Sequence, residues 1–202
     1  MYLLIQAAGW PIWLLIIASV LALAIIGERA WSLRLSTVAP QGLLNRTIDD
    51  FRRRGVTNEL LNTLASGPLL GRIFAAGLYN SRSSREVMKE SLEEAGRAII
   101  VELERFLTTL GTIASISPLL GLFGTIIGMI EIFGAQGPTG SNPAQLAHGI
   151  SVALYNTAFG LIVAVPSMIF YRYFRRKVEQ IAIGMEQQAI KLVEIVHGER
   201  QG

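Results

Sequence analysis

Cysteine is absent from this chain of 202 residues, and histidine occurs only twice. Without cysteine the chain has no disulfides and no thiolate metal sites, and two scattered histidines cannot form a metal centre. Charge is also scarce, because 16% of the residues are charged while 51% are hydrophobic. This balance departs from that of soluble globular proteins and is typical of membrane proteins. We therefore expect an integral membrane protein that holds no metal or cofactor.

Positive charge is missing from two long regions of the chain. All 18 lysines and arginines lie between Arg29 and Arg105 or between Arg172 and Arg200. Since cationic residues collect on the cytoplasmic side of a membrane, this pattern predicts an outer N-terminus and a cytoplasmic C-terminus. The cations nearest the apolar runs lack the interleaved aromatic motif of a nucleic-acid site, so we assign them to the membrane boundary. They are Arg29, Arg34, Arg172, Arg175, Arg176 and Lys177.

The chain contains three apolar runs, each about as long as, or longer than, the roughly 20 residues that an α-helix needs to cross a membrane. A cleaved signal peptide is the alternative for the first run, but the required basic segment is missing before it. We predict an all-α integral membrane protein with three transmembrane helices and long cytoplasmic helical extensions. The expected segments are a first transmembrane helix (1–31), a cytoplasmic helical domain (32–105), a second transmembrane helix (106–134), a short outer loop (135–148), a third transmembrane helix (149–171) and a cytoplasmic C-terminal helix (172–202).

Helix-breaking residues divide the expected cytoplasmic domain into short helices. The breakers are Pro40, Gly55, Gly67, Pro68 and Asn80. Ser83, with Glu86 three residues later, predicts a capping box, and the apolar periodicity that follows predicts one continuous helix into the second span. A similar apolar stripe predicts that the third transmembrane helix continues past Arg176.

Small residues recur at three- and four-residue spacing on the second and third apolar runs. Such spacing puts them on one face of each helix, where another backbone can approach closely. The simpler interpretation, an ordinary packing seam between helices, stays open. The residues of this small-residue seam are Pro118, Gly121, Gly124 and Gly128 on the second run and Ala153, Gly160 and Ala164 on the third.

Polar side chains occur at matching depth in the same two runs. Thr125 lies near the middle of the second, and Asn156 and Thr157 lie in the third. A carboxamide in hydrocarbon needs hydrogen-bond partners, which favours a shared, hydrated polar path over threonines bonded only to their own helix. None of these groups stores a proton near neutral pH. Glu131 and His148 lie toward the outer ends of the runs and are best interpreted as interfacial.

No nucleophile with its base, phosphate-cradling loop or paired catalytic carboxylates is evident, so we expect no enzymatic activity.

Two blocks of sequence carry a family resemblance. The segment 115–128, SISPLLGLFGTIIG, and the segment 149–166, GISVALYNTAFGLIVAVP, closely resemble the second and third spans of the TolQ/ExbB branch of the MotA/TolQ/ExbB proton-channel family. The resemblance implies a homo-pentamer around the single transmembrane helices of an ExbD- or TolR-like dimer. An Asp of that dimer would carry protons between two pore threonines, which align with Thr125 and Thr157. The small-residue seam would then form walls against which the partner helices turn.

The same resemblance implies a place in the bacterial inner membrane, with the outer loop in the periplasm and membrane lipids as neighbours. Proton flow would drive a mechanical cycle that energises outer-membrane transport through a TonB-like transducer, or that maintains the envelope in a TolQ-like role. One departure is notable: well-known ExbB proteins have Glu in the third span where this chain has Val152. A relay through that carboxylate cannot operate here, which points to a divergent ExbB-like branch.

Two other functions stay open on the residues alone. The chain could be a non-conducting membrane scaffold, or a module in which 172–177 bind anionic lipid and the spans only anchor.

Overall fold

A computed structural model describes residues 9–134 and 143–199, and their regular secondary structure is helical throughout. This confirms the all-α prediction. The described residues form eight helices: α1 Pro11–Ser32, α2 Leu35–Val38, α3 Leu43–Arg54, α4 Asn58–Ala65, α5 Leu69–Tyr79, α6 Arg85–Leu103, α7 Leu107–Gly134 and α8 Pro143–Val196. The predicted breakers lie where helices end or begin, since α3 stops before Gly55 and α5 lies between Pro68 and Asn80.

Three of these helices are long and apolar enough to cross a membrane, and each overlaps one of the three predicted spans. Residues 1–8 of the first predicted span and residues 200–202 of the predicted C-terminal helix lie outside the described residues. They are α1 with 22 residues, α7 with 28 and α8 with 54. As predicted, α8 continues well past Arg176 without a break. Its described part begins at Pro143, inside the segment expected to form the outer loop. The earlier part of that loop, 135–142, lies outside the described residues.

The chain forms two compact units. The membrane unit contains Met1–Glu28 and Phe106–Tyr173, and the charged unit contains Arg29–Arg105 and Phe174–Gly202. In the charged unit, α5, α6 and the second half of α8 bury large apolar side chains in a common core. Those that are fully buried include Phe74, Leu78, Met88, Ile99, Phe174, Met185 and Leu192.

Arg29 is buried in the charged unit, with 4% of its surface exposed. Its Nη1 donates a hydrogen bond to the carbonyl oxygen of Leu103 at 3.1 Å. Leu103 ends α6, where the last carbonyls of a helix have no partner within the helix. The guanidinium, which the sequence assigned only to a membrane boundary, therefore also caps a helix.

The predicted continuous helix from α6 into the second span is wrong. Helix α6 ends at Leu103 and α7 begins at Leu107, and Phe106 between them has a φ of 63°. A φ in the left-handed region interrupts helical hydrogen bonding and is rare for an aromatic residue. Apolar periodicity continued across this point because it reports which residues are buried, and burial can continue where the helix does not.

The predicted capping box at Ser83 is also wrong by one residue. Ser84 is the N-cap of α6, and its hydroxyl accepts a hydrogen bond from the backbone N–H of Val87 at 3.4 Å. Glu86 then stands two residues after the cap instead of three, so the reciprocal pattern of a capping box cannot form. Hydrogen bonds from its own backbone N–H and from the Ser84 hydroxyl lower the pKa of Glu86 below its usual value.

Candidate functional site

The second and third spans touch through their backbones in the membrane unit. A methyl group added at Gly160 would lie 2.6 Å from the carbonyl oxygen of Ser117, and one added at Gly121 would lie 2.7 Å from that of Asn156. Carbon atoms do not approach oxygen so closely, so only glycine fits at these two positions. Because both neighbouring groups are backbone, neither can rotate away to make room.

The rest of the small-residue seam extends this contact. A methyl group at Gly124 would lie 2.8 Å from the Cγ of Asn156, and one at Gly128 would lie 3.1 Å from the Cβ of Ala153. Ala153 and Ala164 are buried, and Pro118 is half-buried within α7. The seam therefore joins the chain's own two spans, as the simpler interpretation held. A role for the same residues toward a partner helix stays a prediction.

The two threonines expected to lie at matching depth are in direct contact. The hydroxyl oxygens of Thr125 and Thr157 are 2.6 Å apart, and either can donate to the other. The Thr125 hydroxyl is also 3.1 Å from the carbonyl oxygens of Gly121 and Ala153. Both side chains are half-buried. Each hydroxyl therefore has a hydrogen-bond partner within the protein and needs none from the surrounding lipid.

This arrangement holds more acceptors than protons. The single proton of Thr125 faces three acceptors, namely the Thr157 hydroxyl and two carbonyl oxygens. A hydroxyl carries one proton and rotates about its C–O bond to choose a partner. The pair can therefore adopt more than one hydrogen-bond pattern without moving either helix. A polar path that passes hydrogen bonds along needs this property.

Asn156 completes the polar group between α7 and α8. Only 1% of its surface is exposed, and its side chain lies against Gly124, where a larger residue would displace it. A buried carboxamide within a membrane span is costly unless its donors and acceptors are used. The space that Gly124 leaves is therefore what allows a polar side chain at this depth.

The Ala153 carbonyl was not anticipated from the sequence. It belongs to the turn of α8 that precedes Thr157, and it lies near the Thr125 hydroxyl because Gly128 packs against Ala153. Small side chains at both positions bring a carbonyl oxygen of one helix within reach of the other. The pairing of a glycine on one span with an alanine on the next is the signal that could have indicated it.

The remaining residues singled out in the sequence lie apart from the threonine pair. Glu131 is near the C-terminal end of α7 and His148 is near the N-terminal end of α8, and both side chains are exposed. The guanidinium carbon of Arg34 lies 4.5 Å from the centre of the Trp31 ring, a cation–π contact. Among the boundary cations of α8, Arg172, Arg175 and Arg176 are exposed and Lys177 is half-buried.

Comparison with known proteins identifies the family of this chain. Residues 65–187 match the profile of the MotA/TolQ/ExbB proton channel family. The chain is 34% identical over 175 residues to the biopolymer transport protein ExbB-like 3 of Synechocystis sp., covering 84% of this chain and 82% of that one. It is 35% identical over 173 residues to the biopolymer transport protein exbB1 of Vibrio cholerae, covering 81% of this chain and 74% of that one.

A third relative is the biopolymer transport protein ExbB of Aquifex aeolicus, 33% identical over 145 residues, with 70% of this chain and 92% of the relative covered. The matched region contains both polar spans, and α1 supplies a further helix able to cross a membrane. The protein is a multi-pass membrane protein, and it belongs to the MotA/TolQ/ExbB proton channel family.

Proposed function

We propose that this chain is the channel and stator subunit of a proton-driven motor in the bacterial inner membrane. The observation that carries the proposal is the 2.6 Å contact between the Thr125 and Thr157 hydroxyls, held between two spans by glycine packing. Membership of a proton channel family favours ion conduction as the use of this polar group. Protons are the transported ion, and the role requires neither enzymatic chemistry nor a bound cofactor.

The titratable group comes from a partner in this proposal. Hydroxyls and a carboxamide relay hydrogen bonds but do not store a proton near neutral pH. Five copies of the chain would surround an ExbD- or TolR-like dimer, whose transmembrane Asp would receive a proton beside the threonine pair. The hydroxyls can donate to that carboxylate when it is charged and accept from it when it is protonated, because each can rotate.

The distribution of charge supports the orientation that we propose. With the N-terminus in the periplasm and the C-terminus in the cytoplasm, all 18 lysines and arginines lie on the cytoplasmic side. The same arrangement places the charged unit in the cytoplasm.

The biopolymer transport names of the relatives favour an ExbB-like role in energised outer-membrane transport, with a TonB-like transducer as a further partner. A TolQ-like role in envelope maintenance is the alternative, since the process served depends on the partner's outer domain.

Proton flux into liposomes that contain this chain and its single-span partner tests the proposal. We expect Thr125→Val and Thr157→Val each to lower proton flux about tenfold or more. Each substitution removes a hydrogen bond to the partner's charged carboxylate, and such a bond contributes about 1.5–3 kcal/mol. Thr112→Val is the matched control, since the Thr112 hydroxyl is exposed and bonds to the carbonyl of Thr108 in its own helix.

Two results would count against the proposal. Unchanged flux in both pore variants would remove the threonine pair from the conduction path. A wild-type complex that assembles fully but conducts no protons would identify the chain as a non-conducting scaffold.

A further inference from the structure

A cavity of about 370 Å³ lies within the membrane unit, beside the polar group between α7 and α8. Its walls are the C-terminal part of α7, the N-terminal part of α8, and Gly9 and Pro11 at the start of α1. Along α8 it extends from His148 to Asn156, which is about 12 Å at 1.5 Å per residue. The cavity therefore reaches from an exposed helix end to a buried polar side chain.

Small residues account for the open volume. Gly128, Gly149 and Ala153 line the cavity, and each contributes little or no side chain to fill it. A methyl group at Gly149 would lie 2.8 Å from the Cδ1 of Ile132, so the helices are already in contact there. Because the helices touch at these points, they cannot move closer to close the space between them.

The cavity has two titratable groups among the described residues that line it, Glu131 from α7 and His148 from α8. The residues contributed by α1 carry no charge, and Val152 presents an apolar wall. Carboxyl and imidazole groups are side chains that can accept and release protons. Both are exposed in the monomer.

The inner part of the cavity adjoins the threonine pair. Ala153 lines the cavity, and its carbonyl oxygen is 3.1 Å from the Thr125 hydroxyl. Asn156 also lines it and packs against Gly124, the residue before Thr125. A water molecule beside Asn156 would thus be one residue away from the hydroxyls proposed to conduct.

We propose that this cavity is the outer vestibule through which protons reach the threonine pair, with Glu131 and His148 as its proton-exchanging groups. Each accepts a proton from hydronium in outer water and releases it to water inside the cavity, which returns the side chain to its starting state. Asn156 and the Thr125–Thr157 pair receive the hydrogen bonds of that water. The vestibule rests on the proposed function, since it supplies the same path.

Proton flux in liposomes containing the complete complex tests the exchange step. We expect Glu131→Gln and His148→Gln each to lower flux about fivefold, because a positioned proton-exchanging side chain is lost, and the double variant to lower it further. Glu90→Gln, on the exposed face of α6, is the control and should match the wild type.

The outcomes separate the vestibule from the channel itself. If Thr125→Val lowers flux about tenfold or more while the Glu131 and His148 double variant conducts like the wild type at every outer pH, the vestibule is refuted and the channel stands. If the wild-type complex conducts no protons, both proposals fail.

A second measurement tests for water in the cavity without relying on conduction. The chain has no cysteine, so Val152→Cys introduces a single thiol that water-soluble methanethiosulfonate reagents can label from the outer side. Leu154→Cys is the matched control, because Leu154 lies two residues away and does not line the cavity. We expect Val152→Cys to react about tenfold faster, since only the thiolate reacts and it forms in water.

The charge of the reagent reports on Glu131. A cationic reagent should label Val152→Cys about fivefold faster than an anionic one, the size expected for one charge acting across several ångströms of water. Adding Glu131→Gln should bring the two rates together. Labelling of Val152→Cys no faster than of Leu154→Cys would show a dry cavity and overturn the vestibule, whatever the flux.

Discussion

Glycine brings helices together in both units of this protein, but a different group occupies the space it leaves. In the charged unit, Gly77 of α5 makes room for the Leu92 side chain of α6, whose Cδ2 would lie 2.6 Å from an added methyl group. In the membrane unit, Gly121 and Gly160 make room for backbone carbonyls. One contact buries an apolar side chain, while the other brings two backbones together.

The difference follows from the solvent around each unit. Water drives Leu92 into a core, because burying its surface stabilises the fold. Lipid gives no such drive between apolar helices, so spans associate through close packing and hydrogen bonds. Close packing in turn brings the Thr125 and Thr157 hydroxyls together. The glycine packing that holds the spans together thus also brings about the hydroxyl contact proposed to conduct protons.

The largest expected effect tests the backbone contact. Gly160→Ala places a methyl group 2.6 Å from the Ser117 carbonyl, so α7 and α8 must separate. We expect the free energy of unfolding to fall by about 3 kcal/mol, the upper end of the range for an overpacked site. Proton flux should be lost as well. Thermal unfolding in detergent and liposome flux measure the two effects. Gly184→Ala, in the same helix but with nothing within 4 Å, is the control. If Gly160→Ala had wild-type stability and flux, the backbone contact would not be what holds the two spans together.

A smaller effect is expected at the side-chain contact. Gly77→Ala should destabilise the protein by about 1–2 kcal/mol, because the Leu92 side chain must adopt another rotamer. In a Leu92→Ala background the same substitution should cost much less, since the methyl groups that clash are gone. A double-mutant cycle in thermal or chemical unfolding measures this coupling. No side-chain truncation should rescue Gly160→Ala in this way, because its neighbour is a backbone carbonyl. If the effects of the Gly77 and Leu92 substitutions were additive, Gly77 would not be making room for the Leu92 side chain.

The smallest effect concerns a hydrogen bond at the water-exposed surface of the charged unit. Ser84→Ala removes the N-cap of α6 and should cost about 1 kcal/mol. It should also raise the pKa of Glu86 toward its usual value, because the Ser84 hydroxyl is one of the groups that lower it.

The sign of the pH dependence follows from that lowered pKa. A carboxyl whose pKa is lower in the folded state adds stability above its unfolded pKa and loses it as pH falls through the folded value. The stability gap between wild type and Ser84→Ala should therefore narrow below about pH 4.5, the ordinary value for Glu86. Unfolding midpoints measured from neutral to acidic pH check this. A gap that stays constant over that range would show that Glu86 takes no part in the cap.

Composition and residue spacing were enough to predict much of the fold. Long apolar runs with few charges indicate membrane-crossing helices, because a helix satisfies all of its backbone hydrogen bonds within one segment. The matching depth of Thr125 and Thr157 could be found by counting along two consecutive spans. The breaks at Gly55 and Asn80 were also predictable, because those residue types favour turns and helix ends.

The features that were missed depend on tertiary contacts. Phe106 has no local signal for a positive φ, since aromatic residues rarely adopt one. Ser83 and Ser84 are equally suited to cap a helix, and the sequence does not distinguish them. Spacing also identifies the small-residue face of a span but not its neighbour, so a contact within the chain and one with a partner look alike.

Arg29 has two roles, because its charge bears on membrane orientation and its guanidinium also caps the C-terminal end of α6. Rules for membrane orientation treat lysine and arginine as equal, and by them Arg29→Lys would insert normally. Yet an ammonium group lacks the planar fork of several donors that a guanidinium presents to a carbonyl such as that of Leu103. Anyone who redesigns the charges flanking this first span should therefore expect molecules that insert correctly but in which the C-terminal end of α6 has lost its hydrogen-bond donor.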